Sequence, residues 1–131
     1  MLLCIDTGNT NTVFALWDGD EFLCTSRCAT EWQRTADQYF VWWSTLLHHN
    51  MIEAEIDEVI ISSTVPRVVF NLRVMSDRYF NTRPYVIGKP DCLLPIAPRV
   101  HAGTQVGPDR LANATAAFDR PRRDVVVLYS A

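Results

Sequence analysis

A chain of 131 residues that is 48% apolar and 21% charged has the material for one buried core and is not the composition of a disordered segment. Its net charge of −3 and pI near 5.5 exclude a general attraction to nucleic acid or to an anionic membrane, and no basic run supplies one locally. No basic region leads into a long apolar stretch and nowhere do about 18 apolar residues run together, so a cytoplasmic address is expected, with no nucleic-acid and no membrane partner.

The apolar opening Met1-Leu2-Leu3-Cys4-Ile5 predicts a strand over residues 2–6 that ends in Asp6 and turns through Thr7-Gly8-Asn9-Thr10. A buried strand ending in a carboxylate beside a glycine turn puts a metal-seeking charge next to exposed backbone N–H groups, which is the arrangement a nucleotide phosphate needs. The same residue types also suit an ordinary hairpin, because Gly, Asn and Asp tolerate positive φ. Residues 12–17 predict a second strand, Asp18-Gly19-Asp20 a tight turn, and residues 21–29 a third strand, so the chain opens as an antiparallel meander.

At Thr35 the period changes. Thr35 caps a predicted helix in which Tyr39, Trp42, Trp43, Leu46 and Leu47 recur at spacings of three and four, and His48 and His49 close it, where histidine suits the negative end of the dipole better than it suggests a metal site. Residues 58–63 are a β-branched run of the kind buried within a sheet, and Pro66 opens a helix expected to turn Val69, Leu72, Val74 and Met75 inward. Residues 84–87 predict a further strand and residues 88–98 a proline-rich irregular stretch. A helix over residues 108–118 and a basic turn over 120–123 precede a last strand over 124–129. The four cysteines, Cys4, Cys24, Cys28 and Cys92, show no C-x-x-C spacing and read as free thiols. The order β-β-β-α-β-α-β-α-β is an α/β pattern with an antiparallel edge, without internal repeat.

A second constellation, Gly107-Pro108-Asp109-Arg110, stands at the predicted start of the third helix. Pro108 suits the first helical position, Gly107 permits close approach to the backbone, and the unpaired N–H groups attract an anion. Asp109 could take a proton from a hydroxyl and Arg110 could grip a carboxylate, although an acid in a first turn is also ordinary dipole chemistry.

Together the motifs Asp6-Thr7-Gly8-Asn9-Thr10, Ile61-Ser62-Ser63-Thr64-Val65-Pro66 and Gly107-Pro108-Asp109-Arg110 followed by Leu111-Ala112-Asn113-Ala114 resemble the type III pantothenate kinase family, also represented by the Bvg accessory factor. The resemblance covers essentially the whole chain but only the first half of a usual family member. It implies a ribonuclease H-like domain of the acetate and sugar kinase, Hsc70 and actin superfamily, with a mixed sheet. It also implies transfer of the ATP γ-phosphoryl group to pantothenate, the first step toward coenzyme A. On that resemblance Asp6 orients the Mg²⁺ of MgATP, the segment Asp6, Thr7, Gly8, Asn9, Thr10, Asn11 and Thr12 holds the nucleotide, and Asp109 is the general base. Gly107, Pro108, Asp109 and Arg110 hold pantothenate.

The family continues its last strand with Asp-x-Gly-Thr, a second phosphate motif that also places a monovalent cation, potassium or ammonium. Here the corresponding positions read Leu128-Tyr129-Ser130-Ala131, which have no carboxylate, no glycine and no terminal hydroxyl to match. The expectation is therefore a single N-terminal ATPase-like domain over residues 1–131 without the family's second domain, slow or inactive as a kinase and inclined to homodimerise through the face left bare. A non-catalytic regulatory or interaction protein of the same family is the alternative. A nuclease, which the fold alone would allow, lacks the clustered carboxylates that two metals require.

Overall fold

In the computed structural model, which describes residues 1–119 and Val126, the apolar opening forms β1 (Leu2–Thr7). Leu3, Ile5 and Thr7 are buried on one face of the strand, which leaves Cys4 and Asp6 on the other. The strand β2 (Asn11–Trp17) pairs antiparallel with β1, and β3 (Phe22–Ala29) antiparallel with β2. Between these last two, Asp18 Oδ1 accepts the N–H groups of Asp20 and Glu21 at 2.8 Å each, and Gly19 takes φ 111°, which a side chain would resist.

Thr35 caps α1 (Ala36–His49): its hydroxyl accepts Gln38 N–H at 3.2 Å while Gln38 Oε1 accepts Thr35 N–H at 2.9 Å. Ala36, Tyr39 and Trp43 are its buried residues, with Trp42 and Leu47 packed at the margin. The strand β4 (Glu58–Ser63) lies parallel to β1, and α2 (Pro66–Phe80) follows with Pro66 at its start. Its innermost apolar residues are Val68, Leu72 and Met75, spaced four and three, so the expected Val69 and Val74 only flank the core and Val68 takes the central place. The adjoining Ser76 is buried because its hydroxyl donates to Leu72 O at 2.8 Å.

The strand β5 (Tyr85–Val86) is shorter than the four residues expected. Pro84 has no N–H to give the ladder, and Ile87 N–H reaches Ile61 O at 2.9 Å as the chain leaves the sheet. The third helix, α3 (Pro108–Asp119), starts where Pro108 predicts. The last expected strand, residues 124–129, lies outside the described residues apart from Val126.

The sheet order is β3-β2-β1-β4-β5, antiparallel through the first three strands and parallel from β1 to β5, in agreement with the ribonuclease H-like domain that the resemblance implies. The helices α1 and α2 cover the face that carries Leu3, Ile5, Phe14, Leu16, Val59 and Ile61. On the opposite face α3 lies over Cys4, Asp6, Ile60 and Ser62. Phe14 is fully buried at the centre of the first layer, its ring 5.8 Å from that of Tyr39 and 5.9 Å from that of Trp43. Phe14→Ala is expected to cost about 3–5 kcal/mol in urea unfolding, against roughly 0.5 kcal/mol or less for Val41→Ala on the exposed side of α1.

Candidate active site

Strand alternation decides where Asp6 goes. The register that buries Leu3 and Ile5 sets Asp6 on the far face, opposite Val13 of β2 and Ser62 of β4. Over that face the first turn of α3 brings Asp109, and the next turn brings Asn113. Asp6, Ser62, Asp109 and Asn113 line one cleft of about 460 Å³, floored by Cys4 and Val13. The two carboxylates singled out in the sequence thus share a groove.

Burial pushes the Asp6 carboxyl above the usual aspartate range, and the like charge of Asp109 pushes it the same way. The Ser62 hydroxyl pulls it down by facing the carboxylate, yet it falls short of hydrogen-bond geometry and has no hydrogen-bond partner among the described residues. Ser62 and Asn113 carry no sign in the sequence beyond position, one in register with Asp6 and the other four residues after Asp109.

The turn after β1 is a hairpin, but it uses no positive φ at Gly8, Asn9 or Thr10. Among the described residues a Cβ built on Gly8 would meet only Asn11 O, at an ordinary 3.6 Å. Neither the backbone conformation nor the packing of the chain therefore requires glycine there. Gly8 N–H bonds Asn11 O at 2.9 Å, whereas among the described residues no acceptor faces the N–H groups of Asn9 and Thr10. Asn9, Thr10 and Asn11 are exposed.

Thr7 and Thr12 are fully buried on the helix-covered face, so their side chains are turned away from the cleft and only their backbone remains near it. Thr12 Oγ1 lies 2.9 Å from Thr30 Oγ1, and Thr7 O accepts Thr64 N–H at 3.0 Å, tying the turn to the end of β4.

At the start of α3 glycine has a different reason. A Cβ on Gly107 would stand 2.6 Å from Asp109 Oδ1, so the missing side chain makes room for the carboxylate to fold back over the helix start. Pro108 lines a neighbouring cleft with Ser63, Arg73 and Lys89. Arg110 is exposed and is not among the residues lining the cleft that holds the two carboxylates.

A raised pKa in the folded chain means that the folded state holds the Asp6 proton more tightly than the unfolded state. Asp6 therefore subtracts stability at neutral pH, and the deficit vanishes as pH falls through its folded pKa to below the ordinary value. Asp6→Asn is expected to raise the thermal midpoint near pH 7 and leave it unchanged at about pH 3. Scanning calorimetry at the two pH values checks this, and a lowered midpoint near neutrality would contradict it.

The model of the type III pantothenate kinase family matches residues 2–130. The type III pantothenate kinase of Jannaschia sp. is 67% identical over 128 residues, covering 98% of this chain and 49% of that protein. That of Roseobacter denitrificans is 66% identical over 128 residues, covering 98% and 50%. Among solved structures, a Bacteroides thetaiotaomicron protein with an actin-like ATPase fold and unknown function aligns with a TM-score of 0.47 at 6% identity, covering 71% of this chain and 34% of that one. The chain spans about half the length of the curated relatives it matches, and it belongs to the type III pantothenate kinase family.

Proposed function

We propose that this chain supplies one wall of a site for ATP-dependent phosphorylation of pantothenate, in the path to coenzyme A. The observation that carries the reading is the shared cleft: Asp6 at the end of the central strand beside a turn whose Asn9 and Thr10 N–H groups have no acceptor among the described residues, and Asp109 at the start of the helix above it. Phosphoryl transfer is mainly positioning and charge neutralisation, so these are the parts the reaction asks for.

In this reading the Asn9 and Thr10 N–H groups hold phosphate oxygens. Asp109, given room by Gly107, accepts the proton of the pantothenate hydroxyl, and Pro108 and Arg110, which lie outside the lining of the shared cleft, would meet pantothenate only where it extends beyond the cleft. Asp6 is the group that would orient Mg²⁺ through water, and its half-exposed carboxylate beside Asp109 is a negative pair that suits a divalent cation. Mg²⁺ bound with the nucleotide supplies charge neutralisation at the transferring phosphate. The monovalent cation of the family belongs to the same reading, and the positions of its motif, 128–131, lie outside the described residues.

Turnover by this chain alone is proposed to be slow, because transfer needs the phosphate held from more than one side and water excluded. Calorimetric titration of the 131-residue chain is expected to show MgATP binding that Asp6→Asn weakens about tenfold or more. Asp109→Asn is expected to retain that binding and to lower whatever turnover is measured by about 10²–10⁴-fold. A chain that binds neither MgATP nor pantothenate would instead be the regulatory or interaction protein.

The exposed rings of Phe22 and Phe118 and the exposed Leu93 leave apolar surface in the region of α3, and we propose that a cytoplasmic homodimer covers it. Light scattering is expected to give twice the chain mass, and a monomer at high concentration would count against the dimer.

A further inference from the structure

The turn from Gly8 to Thr10 is held by a residue outside it. Thr30, directly after β3, donates its N–H to Thr10 O at 2.9 Å and its hydroxyl to Gly8 O at 2.8 Å. Its one hydroxyl proton goes to that carbonyl, so the 2.9 Å contact with Thr12 Oγ1 must be donated by Thr12. A directed chain results: buried Thr12 O–H to Thr30 Oγ1, and Thr30 O–H to Gly8 O. Chained hydroxyls polarise one another, which strengthens the last bond.

That last bond sets the direction of a donor. Every described peptide is trans, so the C=O of Gly8 and the N–H of Asn9 lie in one plane and point in opposite directions. Holding Gly8 O against Thr30 therefore turns the Asn9 N–H away from Thr30. It also withdraws a carbonyl oxygen that would repel a phosphate. Thr10 O, held by Thr30 N–H, is withdrawn in the same way.

We propose that Thr30 is a positioning residue for the phosphate turn: it locks the Gly8 and Thr10 carbonyls toward itself, which aims the Asn9 N–H outward as a preformed anion donor and keeps both carbonyl oxygens away from the anion. The proposal rests on the phosphate reading given under the proposed function. Valine keeps the shape of threonine but cannot donate to Gly8 O, while serine can.

Thr30→Val and Thr30→Ser in the 131-residue chain, titrated with MgATP and followed by amide hydrogen exchange, test the proposal. Thr30→Val is expected to weaken MgATP binding about tenfold and to speed exchange of the Gly8 N–H several-fold, while Thr30→Ser stays within about twofold of the parent on both. Thr12→Val, which removes only the donor to Thr30, is expected to fall between the two, and it serves if Thr30→Val fails to fold. A folded Thr30→Val chain that matches the parent on both readouts, while Asp6→Asn loses MgATP, overturns the role of Thr30 alone. A parent chain that does not bind MgATP overturns the phosphate reading itself, and the Thr30 role with it.

Discussion

Parallel pairing of β1 with β4, in the register that sets Asp6 opposite Ser62 and Thr7 opposite Ser63, is the constraint from which the rest of the molecule follows. Leu3 and Ile5 face Val59 and Ile61 on the side that α1 and α2 cover. A slip of one residue would turn Asp6 into that core and Leu3 out of it, so hydrophobic burial enforces the orientation of the carboxylate far more strongly than any contact within the cleft. Core and site are two faces of the same register. The antiparallel pairing of β1 with β2 makes β1 central, which puts Asp6 in the middle of the sheet with strands on both sides.

Electrostatics then runs against the fold rather than with it. A half-covered carboxylate and a second carboxylate in the same groove are each unfavourable in the bare protein, and the Ser62 hydroxyl offsets only part of this. Such a combination is tolerated because the aromatic layer around Phe14, Tyr39 and Trp43 and the aliphatic contacts of Leu72 and Met75 lie on the other side of the sheet. A cation with its phosphate ligand would relieve the repulsion between the carboxylates. Perturbed groups converging in a cleft are a functional signal for this reason.

Much of this was legible in the chain itself. Alternation identified the strands, Thr35 and Pro66 marked helix starts, and the carboxylates at positions 6 and 109 stood out by context. Thr7 and Thr12, by contrast, belong to the nucleotide motif in sequence, yet period-two geometry sends both side chains into the core. Val68 rather than Val69 faces inward because the helix phase is set by where α2 meets the sheet, a tertiary fact. Thr30 left no trace at all: its bonds to Gly8 and Thr12 span 22 and 18 residues and exist only once β3 has paired with β2.

The two glycines of the motifs sharpen the distinction between what the chain needs and what a ligand needs. At Gly107 the chain itself forbids a side chain, since Asp109 Oδ1 occupies the place a Cβ would take. At Gly8 it does not: φ is not in the left-handed region, and among the described residues the nearest atom, Asn11 O, stands at an ordinary contact distance of 3.6 Å. Folding alone would accept alanine at position 8, and alanine would spare the unfolded chain some entropy and so favour the folded state. In the proposed phosphate site an alanine methyl would stand beside the N–H groups that receive the phosphate oxygens. A residue whose smallness serves no contact among the described residues, beside donors with no acceptor among them, is what the proposed phosphate site would ask of this turn.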